Sequence, residues 1–426
     1  MANYIDRIVA IEVEAETTFN TNPASAPIRL PFMADGTTIP RDVPAPLLRD
    51  DDPQFSQMPR QVKADLQPPI DFTIGLWLTG SGVNLPSVNG DPTPSTSADP
   101  AAVSSSHFLY TLLNGAFTRL GNSAGSHVQG SPTTTTFDVQ TSEGSRFVAG
   151  TLVYLPNGSA FEANFVEAVS GVGLTFSRAF TFTPSIGTVE ANAVYNSLTW
   201  RPNVLAADDL TLAGSSETFS FIVWDHTYSK YTITGAALRN LRIQMMPNKQ
   251  LRVLFDFRGN AMTRAANSGN PAAYSATPFP DEQPIAMQNI LARRNTEGTA
   301  RALRVAEFEL DMHMDIAPRE DRGGPQGRSG WVQANSGGDA RLKLSVIHDS
   351  DDVTTDLIDN MITPATDEYS ICVANSVGHA FGVLIPSGQI MASTRGNVGG
   401  VATQNIEVAG MLPTTLYSHN VYFGVG

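Results

Sequence analysis

Between Glu307 and Asp315 an ionisable side chain stands at every second position: Glu307, Glu309, Asp311, His313 and Asp315. The residues between and after them, Phe308, Leu310, Met312, Met314 and Ile316, are apolar. Successive side chains of an extended chain point to opposite faces, so the spacing predicts a strand with one acidic and one apolar face. The apolar face fixes the register. Like charges repel across a sheet and acids disfavour strands, so the acidic face must meet water. Three chemistries fit such a face: a solvated outer surface, the wall of a water-filled channel whose field repels a polyanion, or a cation site completed by ligands from elsewhere.

Other chemistry-bearing patterns are weak. No Gly-Lys pair exists, so there is no phosphate-binding P-loop. HExxH and paired Cys/His zinc spacings are absent. GNSAG (121–125) has the letters of a nucleophile elbow around Ser123, but it follows a predicted helix and not a strand. It reads as a helix-terminating loop. Asp349, Asp351, Asp352, Asp356 and Asp359 cluster without the central Gly and closing Glu of a calcium loop. Asn157-Gly158-Ser159 has sequon letters and is more simply a hairpin turn. The seven histidines are scattered. Cys372 lies in the apolar run Ile371–Ala374 and reads as a buried structural thiol. These patterns predict no catalytic residue, no metal and no cofactor.

Composition narrows the class. The 426 residues carry a net charge of −14, and lysine occurs only at 63, 230, 249 and 343. A phosphate-gripping protein needs a basic surface, so any contact with DNA should be loose or repulsive. One cysteine forbids an internal disulfide and fits a reducing compartment. The first residues resemble no signal peptide, and no apolar run reaches the ~18 residues of a membrane span. The expectation is a chain that starts in the cytoplasm.

Gly and Pro punctuation favours strands. Residues 5–15 and 71–79 read as strands, with a Pro- and Asp-rich arm at 20–70 between them. A helix is predicted over 104–120 from Phe108, Leu109, Leu112, Leu113, Ala116, Phe117 and Leu120. SPTTTT (131–136) reads as a linker before a small β-unit at 137–200. Hairpins are predicted for 217–226 with 228–236, and for 238–246 with 250–259. Residues 263–300 read as a polar loop, 341–349 as a partner for the acidic strand, 351–362 as a short helix, and 369–426 as three strands. Arms as long as 20–70 and 263–300 exceed what a compact monomer usually tolerates, and would be ordered by clasping neighbouring copies.

Several stretches resemble the tail tube (major tail) proteins of long-tailed bacteriophages, the siphovirus type. IDRIVAIEVEAETTFNTNPA (5–24) is similar to that family's first strand and arm, and SSHFLYTLLNGAFTRLG (105–121) to its helix. The segment 217–262, closing in Phe255-Asp256-Phe257-Arg258-Gly259, carries the strongest likeness, with RLKLSVIHDS (341–350) and FGVLIPSGQI (381–390) as late strands. Residues 147–195 resemble a small β-domain often inserted into these proteins. The resemblance implies a mainly β tube domain, a sandwich or barrel with one flanking helix. Its first part would be 1–132, the inserted outer domain 133–200, and its second part 201–426. It implies six copies per ring, inner strands closing a barrel, and stacked rings in the virion tail, assembled in the host cytoplasm. The lumen would hold the tape measure protein and pass double-stranded DNA, with terminator and distal tail proteins at the tube ends. Lumen-lining candidates are Glu307, Glu309, Asp311 and Asp315. The arginine-bearing 238–258 hairpin has the wrong sign for a repulsive wall. Contacts between copies or rings are expected at Phe19, Pro31, Phe32, Arg41, Phe55, Tyr274 and Phe279. The 217–262 pattern shows no second copy in the sequence, which favours one tube domain plus an insertion over two tandem domains in a trimeric ring. A glycan-binding virion module is the alternative, with Tyr154, Phe161 and Tyr195 of the small β-unit as its contacts.

Overall fold

The computed structural model describes residues 8–23, 27–40, 67–80, 108–113, 116–120, 125–187, 192–203, 218–225, 229–246, 248–266, 271, 284–288, 290–296, 299–321, 323–335, 340–347, 365–376, 378–411, 417 and 419–426. The chain is mainly β, and every strand pairing is antiparallel. The N-terminal strands are β1 (Ile8–Ala15), β2 (Ile28–Leu30), β3 (Phe32–Thr38) and β4 (Ile70–Trp77). Of the predicted helix, the described residues show Phe108–Leu112 as helical. Its expected second half is instead β5 (Phe117–Leu120), drawn into a sheet by pairing with β13 (Leu198–Pro202). Among the described residues no flanking helix of the expected length is seen; the ladder satisfies the backbone of 117–120 while Phe108, Leu109, Leu112 and Leu113 still reach the core.

A seven-stranded sheet occupies 126–196. Its strands are β6 (Ser126–Gln129), β7 (Thr136–Val139), β8 (Leu152–Asn157), β9 (Ala160–Phe165), β10 (Ala168–Ser170), β11 (Gly173–Thr175) and β12 (Ala193–Asn196). Gly158-Ser159 of the sequon letters form the two-residue turn between β8 and β9, with Gly158 at φ +64 and Asn157 paired with Ala160. One face encloses its own core around Phe137, Phe176 and Phe180. The other packs Leu152, Tyr154 and Phe165 onto the main body.

The remaining strands are β14 (Phe219–Asp225), β15 (Ser229–Met245), β16 (Leu251–Gly259), β17 (Ala261–Ala266), β18 (Leu291–Thr296), β19 (Thr299–Leu303), β20 (Val305–Asp311), β21 (Asp315–Glu320), β22 (Arg328–Asn335), β23 (Arg341–Ile347), β24 (Thr366–Ser376), β25 (His379–Val398), β26 (Val401–Gly410) and β27 (Tyr422–Val425). Three expectations change. The arm at 20–70 contributes β2 and β3, and the loop at 263–300 contributes β18. The two strands expected at 228–236 and 238–246 are one continuous strand, β15. Gly235, at φ +64, turns β15 from one sheet into the other, and an added Cβ would sit 2.7 Å from Asn260 Cβ. Gly235→Ala should therefore cost about 2 kcal/mol of stability, read as a shifted denaturation midpoint; an unchanged midpoint would contradict this account of the bend.

The pairings repeat although the sequence shows no copy of 217–262. β1–β14, β1–β2, β14–β15, β15–β17, β15–β16, β16–β4 and β3–β4 have counterparts β18–β24, β18–β19, β24–β25, β25–β27, β25–β26, β26–β23 and β20–β23. Phe221 opposite Ile233 and Val223 opposite Tyr231 recur 150 residues on, as Ile371 opposite Val383 and Val373 opposite Phe381. Each long strand also breaks register at an equivalent place, Leu238/Asn240 in β15 and Ile390/Ala392 in β25. Two modules are joined where β15 pairs with β20. One large core, including Phe72, Phe221, Phe257, Phe308, Phe381 and Phe423, lies between the sheets of both. No helix among the described residues is long and apolar enough to cross a membrane.

Candidate functional site

The joint makes one continuous face from eight strands in the order β3, β4, β16, β15, β20, β23, β26 and the second half of β25. Alternation aims Phe72, Leu241, Phe255, Leu310, Leu342 and Ile406 inward. Polar side chains cover the opposite face across a width of about 35–40 Å, at ~4.8 Å per strand. The acidic strand behaves here as its spacing predicts. Phe308, Leu310, Met312, Met314 and Ile316 are buried, while Glu307, Glu309, Asp311, His313 and Asp315 are partly or fully exposed. The strand does not run straight to Ile316, however. His313 adopts φ +49, β20 ends at Asp311, and Asp315 opens the separate β21–β22 ribbon.

The acids do not form a bare negative wall. The arginine hairpin and the acidic strand, set against each other in the sequence as rival linings, are neighbours on the same face, with Arg242 opposite Asp311 and Gln244 opposite Glu309. A chain of contacts crosses the strands: Arg252 donates to Gln244 Oε1 at 2.7 Å, Gln244 donates to Glu309 Oε2, and Lys343 Nζ donates to Glu309 Oε1 at 3.1 Å. Arg341 lies 2.5 Å from Glu407. Below this rung, Arg242 reaches Asp256 at 3.1 Å, Asn240 donates to Asp311 at 2.8 Å, and Arg239 donates to Asp315 at 2.9 Å. Asp71 takes Arg258 at 2.6 Å and Arg239 at 3.2 Å. Burial pushes the Asp71 carboxyl up, but the hydrogen bond and charge of Arg258, with Arg239, outweigh it and hold the group below its ordinary value. Two shallow depressions of about 550 and 640 Å³ lie on this face. Among the described residues no three His, Cys, Asp or Glu side chains converge to hold a metal ion.

No described strand covers either end of this face. Among the described residues, β3 pairs only with β4, and residues 391–398 of β25 pair only with β26. Met391 and Val401 stand exposed near that second edge.

The contact candidates fall in different places. Phe19 is half-buried against Ala237, Ile316 and Trp331 of its own chain. Phe32 packs on the main core, and Pro31 is exposed beside it. Arg41, Phe55, Tyr274 and Phe279 lie outside the described residues, as do residues 121–124 of the elbow-like motif, the acidic cluster at 349–359 and the helix expected at 351–362. Tyr154 and Tyr195 are buried and stacked 5.0 Å apart, with Phe161 edge-on to both. Cys372 is buried, and that burial pushes its thiol up to about 11.

Sequence reasoning missed how the seven-stranded unit is seated. Gly382 and Gly424 face each other across β25 and β27, and a Cβ on either would sit 2.7 Å from Leu152. The missing side chains let β8 lie directly on the sheet. Beside this contact is a charged joint. Arg178 and Glu162 are both buried with N and O 3.7 Å apart, and Arg293 donates to the Ala179 carbonyl at 2.9 Å. Ser177 donates to Glu368 Oε1 at 2.8 Å. Burial raises the Glu368 carboxyl to about 7. The Ser177 hydrogen bond and Arg178 oppose this, and Glu167 adds to it. The folded chain thus holds a proton that the unfolded chain releases near the ordinary carboxylate value. Stability should fall as pH rises from about 4.5 to 7 and then level off. Glu368→Gln should remove that slope, so its advantage over the native chain grows between pH 5 and pH 8 in urea denaturation. A pH-independent difference would contradict it.

Compared with known protein families and with curated proteins, the chain matches none.

Proposed function

We propose that the chain is the subunit of a tail tube. Copies join side by side into rings, the polar eight-strand face turns inward, and the rings stack into a conduit. The observation that carries this reading is the face itself: one sheet of eight strands, polar on one side, ending in two edges that no described strand covers. Open edges are a liability in a free monomer, and pairing between copies removes them. Glu307, Glu309, Asp311 and Asp315 would face the lumen, and most of the face's arginines would be occupied by acids of the same face. A net charge of −14 with tethered cations suits a channel that passes a polyanion without holding it. The cargo would be the tape measure protein and then double-stranded DNA, with terminator and distal tail proteins capping the ends. The seven-stranded unit would sit away from the lumen. The glycan-binding alternative loses its most obvious platform, because Tyr154 and Tyr195 are consumed by stacking on each other. Negative-stain electron microscopy at rising protein concentration tests the proposal. Rings or tubes with a central hole are expected. Persistently compact particles, even with partner tail proteins added, would overturn it.

A further inference from the structure

We infer that the free edge of β25 pairs with β3 of a second copy, repeating between chains the joint that β15 makes with β20 inside one chain. This rests on the tube reading and adds which strands meet and in what register. The internal joint is the template. In the first module β15 leaves the outer sheet at Gly235, crosses to the inner sheet, and exposes the edge that β20 then covers. In the second module β25 makes the same crossing, and no described strand covers the equivalent edge. The strand equivalent to β20 is β3, and its own outer edge is likewise open. Each chain therefore carries one half of the joint at either end. Head-to-tail pairing of these halves generates a ring if the rotation closes.

Register follows from the repeat. Asn240 opposes Asp256 just after the break in β15, and Ala392 opposes Glu407 just after the break in β25. Asp256 therefore corresponds to Glu407. Next along, Thr73 opposes Asp256 as Lys343 opposes Glu407, and Thr38 opposes Thr73 as Glu309 opposes Lys343. Four residues before Asp256 and Glu407, Arg252 opposes Gln244 and Thr403 opposes Gly396. The internal pair of Gln244 opposite Glu309 thus becomes Gly396 opposite Thr38 of the neighbour. Thr38 is exposed and Gly396 half-buried, so both stay reachable in the isolated chain.

Two modules per chain also set the lobes of the ring. The inner wall holds twice as many modules as chains, so a ring shows two similar lobes for every copy.

The test pairs Thr38→Cys with Gly396→Cys, and separately with Thr394→Cys, which lies one step along the same face. Cys372 stays in place, being fully buried. On oxidation at a concentration that forms rings, at least one double variant should give a disulfide ladder on a denaturing gel that passes the dimer and stops at the number of copies in the ring. The three single variants should not extend beyond dimer. End-on particle averages of the native chain should show twice as many similar inner lobes as copies. Rings in which neither double variant cross-links overturn the joint and leave the tube standing. No rings at any concentration would overturn the tube reading itself.

Discussion

Replacing Arg294 with methionine is expected to lower stability by about 3–5 kcal/mol, enough to unfold much of the population near physiological temperature. Arg294 in β18 donates through Nε to Asp367 Oδ2 at 2.7 Å, and both side chains are almost fully buried. The pair need not be strongly stabilising in itself, since desolvating two charges offsets much of their attraction. Removing one partner is different, because the remaining charge loses its counter-ion in the core. Asp367→Leu alone should be as damaging as Arg294→Met. The two together should recover part of the loss, because an apolar pair can replace a buried ion pair at small cost. Chemical denaturation of the four proteins closes the cycle. If the double variant loses the sum of the two single losses, the charges are not coupled as described.

Glu16→Ala should be comparably severe, at about 3–5 kcal/mol. The side chain is buried, and its carboxylate collects four donors. Oε1 accepts from Ser220 Oγ at 2.7 Å and the Gly235 amide at 2.8 Å; Oε2 accepts from Thr218 Oγ1 at 2.8 Å and the Asn20 amide at 2.9 Å. Alanine leaves all four unanswered in the interior. It also releases the corner where the N-terminal arm meets the bend of β15, since Asn20 in turn accepts from Thr234 at 2.7 Å. Glu16→Gln keeps one oxygen but turns an NH₂ toward two of the donors, so an intermediate loss is expected. Thermal denaturation of the two variants checks the order. A glutamine variant as stable as the native chain would show that the charge contributes nothing there.

These two residues mark what the sequence could and could not reveal. Strand character was legible wherever alternation was regular, as in β20 and its partner β23. Glu16 and Arg294 sit at positions where polarity suggests solvent, and only the tertiary structure gathers three of the four Glu16 donors from 202 to 219 residues away and Asp367 from 73. The helix predicted over 104–120 had sound spacing, but Phe117 and Leu120 fit a strand's burial equally well, and β13 supplied a ladder. Local periodicity cannot detect such a partner.

The candidate face was legible strand by strand and misread as a whole. Charge sign alone set the 238–258 arginines against the 307–315 acids, yet pairing places them side by side: Arg239 and Arg258 reach Asp315, while Arg242 is taken by Asp256 of its own hairpin. The duplication was fainter still. Its trace is a shared pattern 150 residues apart, Phe219-Ser220-Phe221-Ile222-Val223 against Tyr369-Ser370-Ile371-Cys372-Val373. The residues that repeat are the burial pattern and the bends, and identities drift freely beneath them.

The most direct test of the tube is a cryo-electron microscopy reconstruction of the assembled protein that places the side chains of β20. The expected result is a central channel with Glu307, Glu309 and Asp311 pointing into it, and with the Phe308 and Leu310 side chains in the subunit core. The contrary result would be this face turned outward, or buried against a neighbouring ring, with some other surface lining the channel.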